Sequence, residues 1–179
     1  MSNVGKWAKF YEGVVRPAPY GDSDAYTFGA DLLADCATIE DWGCGLGWFR
    51  RLIDPERYVG VDGSASNFAD VVDDLVTRTT TVEGIFMRAV LEHNYDWPTL
   101  LDNALGSFTK RMVLVTFTPF TEQTPHEELR FEDAYDVPTL ALNYELLINH
   151  FVGFEWDQTE IVSPRTAYQH ETMFIVDHV

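Results

Sequence analysis

Ile39-Glu40-Asp41-Trp42-Gly43-Cys44-Gly45-Leu46-Gly47 is followed, after residues 48–57, by Tyr58-Val59-Gly60-Val61-Asp62. The first run reads as a strand entering a glycine turn, the second as a strand that closes on an acid. A unit of this kind holds a nucleoside by its ribose hydroxyls. The glycines let backbone approach a ligand closely and permit positive φ. The stretch from Trp48 to Ile53 reads as a short helix whose first N–H groups face an anionic group. Asp62 stands where one carboxylate can accept from two hydroxyls.

Glycine spacing separates two classes of ligand. A dinucleotide fingerprint needs Gly-x-Gly-x-x-Gly. Here the third glycine comes one residue early, as Gly43-x-Gly45-x-Gly47, and Trp48 occupies the next place. A nicotinamide-dependent reductase therefore has the wrong spacing.

Composition sets the outer bounds. The chain has 179 residues, 46% hydrophobic and 14% aromatic, enough for one domain with a real core. No run approaches the ~20 apolar residues of a membrane span. The start, Met1-Ser2-Asn3-Val4-Gly5-Lys6, lacks an apolar signal segment, so a cytoplasmic protein is expected. Cys36 and Cys44 are the only cysteines, which rules out a disulfide framework and fits a reducing compartment. A net charge of −17, from 29 acids and 12 bases, repels phosphate backbones and anionic membranes. Neither nucleic acid nor membrane is an expected partner. A cationic sulfonium is tolerated in such a field.

Further along, apolar spacing predicts a helix over residues 4–15, broken by Pro17 and Pro19, and a capped helix over 25–33. Strands are expected at 37–43 and 57–62. A third, over 69–76, follows so closely that the intervening helix must be a turn or absent. Residues 84–91 read as a fourth strand, 98–107 as a helix, 111–117 as a strand buried on both faces, and 139–151 as a helix. Residues 155–162 and 171–176 read as a closing antiparallel pair. Residues 118–137 form a long acidic connection, a candidate acceptor loop. The expected architecture is a single three-layer α/β domain over 1–179, with residues 1–36 as an N-terminal helical lid.

Asp41-x-Gly43-x-Gly45-x-Gly47 resembles the first motif of class I, Rossmann-like S-adenosylmethionine-dependent methyltransferases. Val90-Leu91-Glu92-His93 resembles the segment after the fourth strand in many small-molecule members. With Asp62, the matches span residues 39–93 in the expected order. The resemblance implies a mostly parallel sheet with an antiparallel C-terminal strand, here with a reduced helix after the second strand. It implies S-adenosyl-L-methionine as cofactor. Gly43, Cys44, Gly45 and Gly47 would line its amino-acid part, and Asp41 would help fix that loop and the methionine amino group. Asp62, beside Gly63, would hold the ribose. Asp74, with Asp73 as the alternative, would contact the adenine amino group. Leu91 and Glu92 would lie near the cofactor. His93 is the candidate catalytic base, or a structural histidine bonded to backbone; His126 and His170 are alternatives. Asp96 either orients a histidine or caps the following helix. Trp42, where a small aliphatic residue is usual, packs beneath the cofactor or fills the core. Tyr11 and Tyr20 belong to the lid or to N-terminal packing. The implied activity is methyl transfer to a small-molecule or glycan hydroxyl; the competing reading is a non-catalytic binding module on the same fold.

Overall fold

The computed structural model describes residues 4–122 and 138–179. Its chain order is α1 (Val4–Tyr11), α2 (Asp24–Leu32), β1 (Ile39–Trp42), β2 (Tyr58–Asp62), β3 (Val71–Val72), β4 (Val82–Arg88), α3 (Trp97–Leu105), β5 (Phe108–Thr116), α4 (Tyr144–Asn149), β6 (Glu155–Val162) and β7 (His170–Asp177). The strands form one seven-stranded sheet in the order β3-β2-β1-β4-β5-β7-β6. β1 lies parallel to β2, Ile39 facing Tyr58, and parallel to β4, Ile39 facing Gly84. β7 enters antiparallel between β5 and β6. Strand order therefore reverses between β1 and β4, where open α/β sheets place their ligand crevice.

Two apolar layers sandwich the sheet. On one face Trp97, Leu100, Leu101, Ala104 and Leu105 of α3, spaced as a helix stripe, pack with Trp42, Met87, Leu114 and Phe174. On the other, Ala25 and Leu33 pack with Phe49, Phe86, Val113 and Met173. Trp42 is fully buried, and its indole N–H donates to Glu40 Oε2 at 2.7 Å. It fills the core rather than the crevice.

The connections are leaner than the sequence pattern predicts. After the glycine turn the expected helix is a 3₁₀ turn of Phe49–Arg51. Arg50 is drawn off to Asp70 and to the Phe68 carbonyl, which binds this turn to the chain after β2. A 3₁₀ piece that short lacks the aligned N–H groups of a helix start. Between Asp62 and Val71 there is no helix, in keeping with the expected compression, and β3 is two residues rather than eight. The charged and polar Asp70, Asp73 and Asp74 bond locally and shorten it. α1 ends at Tyr11, ahead of Gly13 with its positive φ. α4 occupies only part of 139–151, because Asn143 caps it by accepting from the Leu146 N–H at 2.9 Å. No helix among the described residues is long and apolar enough to cross a membrane. His126 and most of the expected acceptor loop lie outside the described residues.

Candidate active site

The C-terminal edges of β1, β2 and β4 open into one cavity roofed by α1. Its wall includes Gly43, Cys44, Gly45, Asp62, Gly63, Asp74 and His93, and is completed by aromatic residues from the first 26 positions. Asp41, Gly47, Leu91 and Glu92 do not line it.

Asp62 organises the floor. Its Oδ2 accepts from the Gly45 N–H at 2.9 Å and its Oδ1 from the Ser64 N–H at 2.8 Å. The carboxylate is thereby fixed in one orientation, with lone pairs to spare on both oxygens. Burial raises its pKa, and the two N–H donors oppose the shift. Gly45 has φ +48°, and a Cβ there would meet the Tyr11 hydroxyl at 3.3 Å. A side chain at Gly45 would thus fill the gap between floor and roof. Gly47 answers to a different constraint: its missing Cβ would lie 2.6 Å from Phe68 Cβ, so it permits packing behind the cavity.

The residues behind the wall are engaged elsewhere. Asp41 is buried and accepts from the Tyr58 hydroxyl at 2.7 Å. Cys44 is buried, and burial pushes its thiol pKa up, so it stays protonated. At the exit of β4, Ala89 has φ +55°, a conformation rare for a residue with a Cβ. The kink turns Leu91 into the core beside Trp97 and Glu92 towards β5. Glu92 Oε1 accepts from the Phe117 N–H at 2.6 Å, and its backbone carbonyl accepts from Leu140 at 2.7 Å. Glu92 therefore ties together the two stems of the 118–142 excursion.

His93 faces the cavity and sits 5.0 Å from the Trp7 ring. Its Nδ1 lies 2.8 Å from the Pro138 carbonyl, which can only accept, so Nδ1 carries the proton and the neutral ring has its lone pair on Nε2. Burial lowers its pKa, so it is neutral at physiological pH. Of the two candidate acids after β3, Asp74 lines the cavity beside Leu75 and Val76, whereas Asp73 is paired with Arg78 at 2.9 Å. Asp96 stands at the cavity rim without capping α3. His170 begins β7, exposed and off the cavity wall. Within residues 1–36, α1 supplies Trp7, Phe10 and Tyr11 to the roof, while α2 packs into the core on one sheet face. Arg88, Tyr20 and Tyr26 also line the cavity, and nothing in the sequence pattern singled out Arg88 or Tyr26. Among the described residues, no group of three or more His, Cys, Asp or Glu is placed to hold a metal ion.

Glu92 and Asp41 are each raised to about 7, chiefly by burial. A carboxyl whose folded pKa exceeds its unfolded value near 4 leaves stability intact in acid and erodes it as pH climbs from about 4 to about 7. The fold should thus be more stable at about pH 5.5 than at about pH 8, with Glu92 accounting for about 2 kcal/mol of the difference. Thermal melts of wild type and Glu92→Gln at the two pH values check this. An unaltered pH slope in the variant would show that Glu92 does not carry the effect.

No protein-family profile matches the chain, and no curated protein matches it in sequence. Solved structures do match. The chain superposes on the 1,6-didemethyltoxoflavin-N1-methyltransferase of Burkholderia thailandensis, solved with 1,6-didemethyltoxoflavin and S-adenosylhomocysteine, with a TM-score of 0.63, 15% identity, and 88% of this chain and 80% of that one covered. For the magnesium protoporphyrin IX methyltransferase of Synechocystis PCC 6803 with bound S-adenosylmethionine, the TM-score is 0.66 at 12% identity, covering 100% of this chain and 98% of that one. The N-terminal domain of EvdMO1, solved with S-adenosylhomocysteine and D-fucose, gives 0.63 at 16% identity, covering 96% and 94%. These likenesses show the fold: the chain has the class I, Rossmann-like methyltransferase architecture.

Proposed function

We propose that this chain is an S-adenosylmethionine-dependent methyltransferase acting on a small molecule or a sugar hydroxyl. The observation that carries the reading is the cradle at the switch point. Asp62 is held by two backbone N–H groups, and it faces a gap that a single Cβ at Gly45 would fill. An adenosyl ligand fits that combination. Asp62 would accept from both ribose hydroxyls, and Asp74 with the Leu75–Val76 backbone would face the adenine edge. Gly43, Cys44 and Gly45 would border the amino-acid end.

When bound, S-adenosylmethionine supplies an electrophilic methyl group on a sulfonium. The chain's own contribution is alignment and exclusion of water. Trp7, Phe10 and Tyr11 close the roof with apolar surface. His93, locked through Nδ1 to Pro138, presents an imidazole of fixed tautomer to the acceptor side.

Calorimetric titration with S-adenosylhomocysteine tests the reading. Micromolar affinity, on the order of 8 kcal/mol, is expected. Asp74→Ala should weaken it several-fold, whereas Asp73→Ala, whose carboxylate serves Arg78, should leave it unchanged. The reverse pattern would move the adenine contact to Asp73. Transfer of a labelled methyl group to a panel of metabolite acceptors separates an enzyme from a binding module.

A further inference from the structure

Arg88 is the only lysine or arginine among the described residues of the cavity wall. It ends β4, and its side chain is 2% exposed. Nη2 donates to Glu171 Oε1 at 2.5 Å, and Nη1 donates to the Tyr26 hydroxyl at 2.9 Å. The guanidinium lies over the Tyr26 ring at 4.5 Å and the Tyr20 ring at 6.0 Å. Nε is buried with no hydrogen-bond partner among the described residues. A guanidinium only donates, and a buried donor without a partner is costly. A buried ion pair adds little net stability against an apolar replacement. A role in holding ligand accounts for keeping this one on a cavity wall.

The acids of the same wall serve other ends of the cavity. Asp62 and Asp74 face the adenosyl side, and Asp96 stands at the rim. What remains near the β4 exit is Arg88, His93 and flat aromatic surface from Trp7, Tyr20 and Tyr26. A cationic amine beside Arg88 would be repelled. A neutral alcohol would need a strong base; His93, its pKa lowered by burial, is a weak one, and Glu92, the nearest carboxyl in sequence, points away to Phe117.

Building on the cofactor reading above, we infer that the acceptor is an aromatic small molecule with an acidic oxygen, bound at Arg88 as the oxyanion. Donation from Arg88 lowers the pKa of that oxygen, so the acceptor arrives deprotonated. A lone pair of the oxyanion forms the O–CH₃ bond as the C–S bond breaks. The electron pair of that bond returns to sulfur, and no proton moves in the step. Glu171 offsets part of the Arg88 charge and so sets how strongly the oxyanion is held.

The test is binding of para-nitrophenolate, benzoate, methyl glucoside and benzylamine to protein saturated with S-adenosylhomocysteine. Wild type should prefer one of the two anions by about tenfold or more over the glucoside and the amine. Phenolate preference assigns a phenol-type acceptor, benzoate preference a carboxylate. Arg88→Gln should erase the preference with S-adenosylhomocysteine affinity unchanged. Glu171→Gln should tighten the anions, because it removes the compensating charge. Equal or tighter binding of the glucoside or amine overturns the inference, as does anion binding that survives Arg88→Gln. Should Arg88→Gln fail to fold, the direction seen in Glu171→Gln decides: weaker anion binding makes the pair structural only. If wild type does not bind S-adenosylhomocysteine, the cofactor reading falls and takes this inference with it. Intact S-adenosylhomocysteine binding without anion preference overturns this inference alone.

Discussion

Asp62→Ala is expected to weaken S-adenosylhomocysteine binding by about a hundredfold or more while the protein still unfolds cooperatively. Each hydrogen bond from a ligand hydroxyl to a charged carboxylate is worth about 1.5–3 kcal/mol, so losing two reaches that factor. Asp62 also anchors the N–H groups of Gly45 and Ser64, so its removal slackens the floor as well as the grip. Asp62→Asn keeps one carbonyl acceptor and should fall between the two, about tenfold weaker than wild type. Titration calorimetry reads all three. An alanine variant that binds as tightly as wild type would remove the ribose contact from Asp62 and with it the basis of the functional reading.

Phe86→Ala should cost about 3–5 kcal/mol of stability, the usual range for deleting a buried phenyl ring. Phe86 is fully buried on β4 and stacks on Phe49 at 3.9 Å. α2 crosses so close to it that a Cβ on Gly29 would come within 2.4 Å of the ring. One aromatic ring thus joins the strand, α2 and the 3₁₀ turn that replaces a full helix. With so thin a layer on that face, few neighbours can move in to fill the hole. Denaturant unfolding should register the loss, and the melting temperature should drop by on the order of 10 °C. A loss below about 1 kcal/mol would mean that α2 settles into the vacated space.

The glycine turn and its acid were legible because they obey local rules: a strand pattern, glycines at two-residue steps, and a carboxylate at the next strand end. The long strands were legible for the same reason, from Val113–Val115 through the closing β6–β7 pair. What escaped depends on partners distant in sequence. Asp41 has the sequence position of a loop-fixing acid, but its hydroxyl donor is Tyr58 on the neighbouring strand. Glu92 looks like a cavity residue until the left-handed turn at Ala89 swings it towards Phe117. That turn has no glycine to announce it. Arg88 acquires meaning only when Tyr26 of α2 and Glu171 of β7 arrive from 62 and 83 residues away. The shortening of the helix after the glycine turn escaped because Arg50 bonds forward to Phe68 and Asp70, and periodicity cannot register that pull.

The cavity roof is sewn down just behind its helix. Ala18 pairs with Gly47 as a parallel bridge, and Asn67 Nδ2 donates to the Val14 carbonyl at 2.5 Å. Any hinge that uncovers the floor must therefore lie upstream of Val14, at or near Gly13, whose φ of +78° and open surroundings suit it to pivoting. Under the proposed function, exchange of spent for fresh nucleoside would call for a one-helix flap, with the seven-stranded platform standing still.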